Sequence, residues 1–184
     1  FGLRSRIFGL HILKKTPPDI NITRIQGLIA RGGVMALSIE KWHNAGIWVV
    51  CRSDPDYPVR LKRHLNRQAP PVLYGIGDIQ ILSRGGLAIV GSRNVDGKGE
   101  AFTQTVAQSC AQQNIQVVSG GARGVDQIAM LAALNHGGSV AGALADSLLK
   151  SAVAKKYRDF IQEKRLCLVS AFAPDSPFQV GNAM

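Results

Sequence analysis

The segment Ser119-Gly120-Gly121-Ala122-Arg123-Gly124-Val125-Asp126 places three glycines, a guanidinium and a carboxylate between an apolar run and a helix-forming run. Glycine adopts positive φ and lets the backbone approach a ligand closely. Unpaired N–H groups where a helix begins face an anion. Arg123 adds a planar, permanently charged fork suited to phosphate oxygens. A tight strand-to-helix turn would account for the glycines alone, yet three of them together with Ser119 exceed what a turn needs. Asp126 reads first as a capping or loop-bracing carboxylate, because an acid in a helix's first turn is stabilising in its own right, and second as a catalytic one. Its place just after Arg123 also suits it to hold that side chain.

A second motif, Val90-Gly91-Ser92-Arg93-Asn94, again follows an apolar run directly. Gly91 opens space, Ser92 can donate to phosphate and Arg93 can pair with it, while Lys98 and Gly99 lie at the mouth of the next helix. Lys150, Lys155, Lys156 and Arg158 form a basic helical stretch that serves either phosphate or simple solvation. Arg60, Lys62, Arg63 and Arg67 flank the Tyr57-Pro58 turn and can extend a backbone-binding track in the same sense. Trp42, Trp48, Tyr57 and Tyr74 read as packing residues, with base stacking open to any tyrosine that is exposed.

The common nucleotide fingerprints are absent. Neither glycine motif supplies Gly-x-Gly-x-x-Gly, Ser119 stands where a ribose-binding acid is expected, and Gly-x-x-x-x-Gly-Lys-Ser/Thr does not occur. No Gly-x-Ser-x-Gly elbow occurs, and His11, His43, His64 and His136 have no companions at metal-ligand spacing. Asp126 and Asp146 can both reach the crevice, but two scattered carboxylates make a poor metal site. The expectation is a binding site with no catalytic residue, no metal and no cofactor.

Short apolar strands alternating with helices must position these motifs. Strands are expected at 47–51, 87–90, 115–119, 139–144 and 166–170, and helices at 22–30, 37–44 (capped by Ser38), 59–66, 100–113, 125–135 and 148–161. Phe102, Val106 and Cys110 form one stripe of the 100–113 helix. The stretch from Ala69 to Gly75 reads as a stiff extended connector, since Pro71 keeps Pro70 out of the α region. This alternation implies an α/β fold, a Rossmann-like parallel sheet with helices on both faces, preceded by a small helical N-terminal region. Right-handed crossovers send every strand C-terminus to one edge. The loops beginning at Gly91, Gly120 and Ala145 then line one crevice, provided their strands are neighbours. The boundaries read as 1–46 for the helical region and 47–184 for the α/β domain.

The chain of 184 residues carries a formal charge of +10. Residues 1–86 hold 13 Lys/Arg against 5 acids and residues 87–184 hold 9 against 7, so the basic half is N-terminal and an anionic partner is favoured. Cys51, Cys110 and Cys167 are odd in number and far apart, which reads as reduced, buried thiols in a cytoplasmic protein. No apolar run approaches a membrane span. The ends, Phe1 and Gly181-Asn182-Ala183-Met184, suggest a piece of a longer chain with part of the site missing.

The ordered set Asp54-Pro55-Asp56-Tyr57-Pro58, Pro70-Pro71-Val72-Leu73-Tyr74, Ala88-Ile89-Val90-Gly91-Ser92-Arg93 and Ser119 to Asp126 resembles the DNA-processing protein A family, also called Smf. The resemblance implies a bacterial, cytoplasmic protein with an extended Rossmann-like domain. It also implies binding of single-stranded DNA in natural transformation and recombination, help in loading a recombinase, and a homodimer. By position, Gly91, Ser92 and Arg93 match the family's first phosphate-binding loop, and Ser119, Gly120, Gly121, Arg123, Gly124 and Asp126 the second. Phe178 and Gly181-Asn182-Ala183-Met184 resemble the approach to a third, basic motif. Ala145 to Lys150 departs from the family's glycine-bearing turn and its following Tyr-Pro pair, and Tyr157 lacks the proline. The expectation carried over from the resemblance is therefore DNA binding ahead of recombinase loading.

The residues alone suit any phosphodiester; the single-strand preference comes from the resemblance. Lys98, Lys150, Lys155 and Lys156 are expected to carry the neighbouring phosphates. The competing expectation is a nucleotide-derivative sensor, or a phosphoribose or nucleotide hydrolase-like enzyme, on the same fold.

Overall fold

The computed structural model describes residues 21–177; the approach to a third basic motif lies outside the described residues. The chain divides into two compact units between Lys41 and Trp42. In the first, α1 (Ile22–Ile29) starts where the Asn21 side chain accepts the Arg24 N–H; α2 (Gly32–Asn44), which lies in that unit as far as Lys41, begins five residues before the expected Leu37. Ser38 is not its cap: the hydroxyl lies inside the helix and donates back to the Val34 carbonyl at 3.0 Å.

The second unit is built on a six-stranded sheet. Its strands are β1 (Trp48–Cys51), β2 (Val72–Gly77), β3 (Leu87–Ala88), β4 (Val117–Ser119), β5 (Val140–Ala143) and β6 (Leu166–Ser170), in the order β1-β2-β6-β5-β4-β3. The last four are parallel neighbours, whereas β2 runs antiparallel to both β1 and β6. The four-stranded parallel part is as the alternation predicts. The expected connector is instead the antiparallel strand β2, with Tyr74 opposite Val49 on one side and Ser170 on the other. Pro70-Pro71 does impose the extended conformation, but every residue from Val72 onward keeps its N–H and joins a ladder.

Helix α3 (Val59–Leu65) and a 3₁₀ turn (Asn66–Gln68) join β1 to β2. Helices α4 (Gly97–Gln112) and α5 (Val125–Asn135) follow β3 and β4. α4 buries Thr103, Ala107, Cys110 and Ala111, while Phe102 is 71% exposed and does not belong to the buried stripe. Small residues make that face because a Cβ on Gly138, just beyond α5, would come within 2.9 Å of the Ala111 methyl. A phenyl ring cannot occupy so close an approach.

The helix expected over 148–161 is two: α6 (Leu148–Ala152) and α7 (Lys155–Gln162). At 100° per residue, Leu148 and Tyr157 would face opposite sides of one straight helix. The break at Val153-Ala154 lets both be buried, at 0% and 3% exposure. The core is continuous from Trp42 and Ile47 through Met130, Leu134 and Val140 to Leu166 and Leu168. All five residues of β6 are buried, as a strand at the middle of a covered sheet requires. Arg165 closes the approach to β6 from α5, donating to the Leu134 and Gly138 carbonyls and pairing with Glu163.

Candidate phosphate-binding crevice

Because β3, β4, β5 and β6 are parallel neighbours, the loops after them emerge side by side and bound one crevice of about 830 Å³. Arg93, Arg123 and Asp126 line it together with Gly120, Gly121 and Ala122. Both guanidiniums predicted from the two glycine motifs thus face the same space. The opposite wall is apolar: Leu61 and Leu65 from α3 and Leu73 from β2, with Val169 at the end of β6.

Asp126, in the first turn of α5, ties the two loops into one unit. One carboxylate oxygen accepts the Gly91 N–H at 3.3 Å and the other the Gly120 N–H at 3.1 Å, and the residue is 6% exposed. A Cβ on Gly120 would sit 2.7 Å from that second oxygen, so only glycine leaves room for the contact. Of the two readings left open for Asp126, this geometry is the brace. It also leaves fewer amides open to an anion. The Gly91 and Gly120 amides already have an acceptor, and α4 begins six residues beyond Gly91 behind its own cap, Asp96. The first loop therefore presents no helix start to a phosphate.

The second loop does. Gly124 takes φ +88° directly before α5, and the Val125 N–H reaches back to the Ser92 carbonyl. A Cβ on Gly124 would stand 2.2 Å from that same Ser92 oxygen. Among the described residues, the N–H groups of Gly121, Ala122 and Arg123 have no hydrogen-bond partner. Beside them, the Arg123 guanidinium is held by the Asn94 side-chain oxygen at 2.5 Å. Asn94, part of the first motif but given no role from sequence, thus positions the charge contributed by the second.

The remaining predicted residues divide. Ser119 is 3% exposed and donates to the Ile89 carbonyl at 2.7 Å, so it stitches β4 to β3. The Ser92 hydroxyl closes a turn with Asn94. Lys156 reaches the Gln127 side chain, which lines the crevice, at 3.2 Å. Lys98, Lys150 and Lys155 are exposed and do not line it. Asp146 lines the crevice and is exposed; burial, then its charge, raises the pKa of the Tyr157 phenol. None of Trp42, Trp48, Tyr57 and Tyr74 is exposed; Tyr57 donates its hydroxyl to the Pro70 carbonyl, and Trp42 and Tyr74 meet edge to face. Cys110 and Cys167 are buried as expected, but Cys51, at the sheet edge, is exposed. No helix among the described residues is long and apolar enough to cross a membrane.

The sequence and the fold both have relatives. The chain is similar to DNA processing protein DprA of Streptococcus pneumoniae (strain ATCC BAA-255 / R6), 31% identical over 108 residues, which are 58% of this chain and 38% of that protein. In structure it is similar to DNA processing protein A from Streptococcus pneumoniae, with TM-score 0.68 and 19% identity over 98% of this chain and 65% of the other. It is also similar to DNA processing protein A from Helicobacter pylori, whose single-stranded DNA binding mode has been described, with TM-score 0.56 and 24% identity over 74% and 60%. The chain spans less than two thirds of the length of each of these relatives. The family model for DNA recombination-mediator protein A matches residues 48–184, the whole sheet and both glycine loops, and the chain belongs to that family.

Proposed function

We propose that this chain binds single-stranded DNA through the crevice at the C-terminal edge of its parallel strands, in DNA processing and recombination. The observation that carries the proposal is the convergence of Arg93 and Arg123 on one crevice beside the open amides of the 121–123 loop. Those amides and Arg123 receive a phosphate, and Arg93 neutralises its neighbour. The apolar wall of Leu61, Leu65 and Leu73 suits the face of a base. No bond is made or broken. Action beside a recombinase, assembly as a homodimer and a cytoplasmic site of action belong to the same proposal.

A second reading has one specific observation behind it. A crevice of about 830 Å³ with mostly apolar walls and a few converging polar groups also has the size of a small-molecule site. A mononucleotide or nucleotide derivative would fill it, with Asp146 as the carboxylate still open to a ligand.

The test is fluorescence anisotropy of labelled single- and double-stranded oligonucleotides with the chain and with an Arg93→Ala/Arg123→Ala variant. We expect salt-sensitive binding of the single strand and an affinity about tenfold or more weaker in the variant. Equal binding by both proteins, or no binding at low salt, refutes the assignment. Complete displacement of the oligonucleotide by a mononucleotide at similar concentration favours the second reading.

A further inference from the structure

A second concavity, of about 800 Å³, lies beyond the crevice and is lined by Arg52, Lys62, His64 and Arg67 with Leu65. No carboxylate lines it, and among the described residues none of these four basic side chains is in an ion pair. Of the four basic residues that the sequence places around the Tyr57-Pro58 turn, the structure gathers Lys62 and Arg67 here with two others, Arg52 and His64. Arg60 and Arg63 do not line it.

A solvated helix end is the plain alternative, since Lys62 and His64 lie in the last turn of α3, where cations are favoured. Three features go beyond it. The Lys62 ammonium donates to the Arg52 carbonyl at 3.2 Å, and the Arg52 guanidinium donates to the Arg67 carbonyl, so cations from the end of β1 and from the α3 segment are drawn to one place. Leu65 lines both this concavity and the crevice, so the two adjoin across a single side chain. Finally, β1 is antiparallel to β2 and β2 to β6, so β1 points the same way as the four parallel strands. Arg52, immediately after β1, therefore emerges at the same sheet edge as the loops of Arg93 and Arg123.

We propose that this concavity is a second phosphate-binding site that takes the backbone of the strand as it leaves the crevice across Leu65. The inference rests on the crevice being a nucleic-acid site and adds the direction of the path, from the parallel strands toward β1. From β4 to β1 the sheet spans four inter-strand intervals, about 20 Å. A stacked strand at about 3.4 Å per nucleotide covers that distance with about six nucleotides. Oligonucleotides of about 4 nucleotides then fill the crevice alone, and those of about 16 reach both sites.

The experiment titrates both lengths into the chain and into an Arg52→Ala/Lys62→Ala/Arg67→Ala variant over a range of salt. We expect the long oligonucleotide to bind the variant about tenfold or more weakly. Its log–log salt slope should be shallower by about 0.7 for each phosphate contact removed, and the short oligonucleotide should bind unchanged. An unaltered affinity and slope for the long oligonucleotide overturn the inference and leave the crevice reading intact. Equal loss at both lengths in a folded variant also overturns it, because the concavity is then not an extension. If the unsubstituted chain binds neither length, the inference falls together with the reading beneath it. The Lys62→Gln/Arg67→Gln pair, at exposed positions, keeps the measurement decisive if the triple variant unfolds.

Discussion

The two halves of the sheet contribute different things to one edge. The parallel half, β3 to β6, supplies glycine turns, open N–H groups, a buried carboxylate that locks two loops together and the two crevice guanidiniums, Arg93 and Arg123. The antiparallel half, β1 and β2 with α3 between them, supplies side chains: an apolar wall facing the crevice and a cluster of cations beyond it. Strand β6 divides them, with Cys167 paired to Gly77 on one side and Ala141 on the other. Amides and a guanidinium held by a neighbour fix a phosphate in position, whereas an exposed lysine acts on it only as a point charge. On the proposed reading, placement of the ligand and its first charge contacts fall to the parallel half, and the antiparallel half adds an apolar wall and further cations.

The sharpest way to break this division is a pair of glycine substitutions. Gly124→Ala meets both a φ of +88° and a backbone oxygen 2.2 Å from the new methyl. We expect it to lower unfolding free energy by about 3 kcal/mol or more and to abolish oligonucleotide binding. Gly75→Ala in β2 drives its methyl to 2.2 Å from the Trp48 ring, whose N–H holds the Gly77 carbonyl at 2.9 Å. It should cost about 1–3 kcal/mol and leave the affinity of short oligonucleotides unchanged. Comparable loss of binding in the two variants, read by denaturant unfolding and anisotropy, would show that the halves do not act separately.

Next in size is Asp126→Ala. Removing the carboxylate leaves the Gly91 and Gly120 N–H groups without an acceptor, at about 2 kcal/mol. Hydrogen exchange should accelerate at those two amides in particular, and Asp126→Asn, which keeps one oxygen, should lose less. Unchanged exchange at both amides would remove Asp126 as the link between the loops.

Smallest over the single pH unit in which it is read is a pH dependence at the dividing strand. Burial, and secondarily the Asp78 carboxylate, push the Cys167 thiol up to about 12 from 9.0. Between those values the folded chain keeps a proton that the unfolded chain releases. Stability is thus complete below pH 9 and falls as pH rises toward 12, by about 1.4 kcal/mol per pH unit. Cys167→Ala should flatten the decline between pH 9 and 10, whatever its baseline stability; an unchanged slope would show that this thiol is not shielded.

The elements that were legible share one property: a strong local pattern. Helix α5 begins and ends where the Gly124 turn and the alanine-rich run imply, and β6 is an unbroken apolar run that occupies its expected limits. Strand β2 was not legible, because two prolines make an extended segment look like a linker, and whether it joins a ladder depends on distant partners. Phe102 was misplaced because its exposure follows from how closely α4 approaches the small residues around Gly138, a distance that no periodicity encodes. Cys51 was misplaced for a related reason: a β-branched run predicts burial, but the last residue of a strand at the sheet edge faces water.

The parallel α/β core, the two glycine loops at strand ends and the two arginines could be read from local order in the chain, because backbone chemistry and strand–helix alternation are properties of neighbouring residues. Packing in three dimensions sets the rest: Asp126 consumes two of the amides, Asn94 aims Arg123, and Arg52, Lys62, His64 and Arg67 meet in one hollow. The Asp126–Gly91 and Asn94–Arg123 contacts join residues 35 and 29 positions apart and depend on strand order and crossover geometry, while the basic hollow depends on how the connection from β1 through α3 folds back on itself.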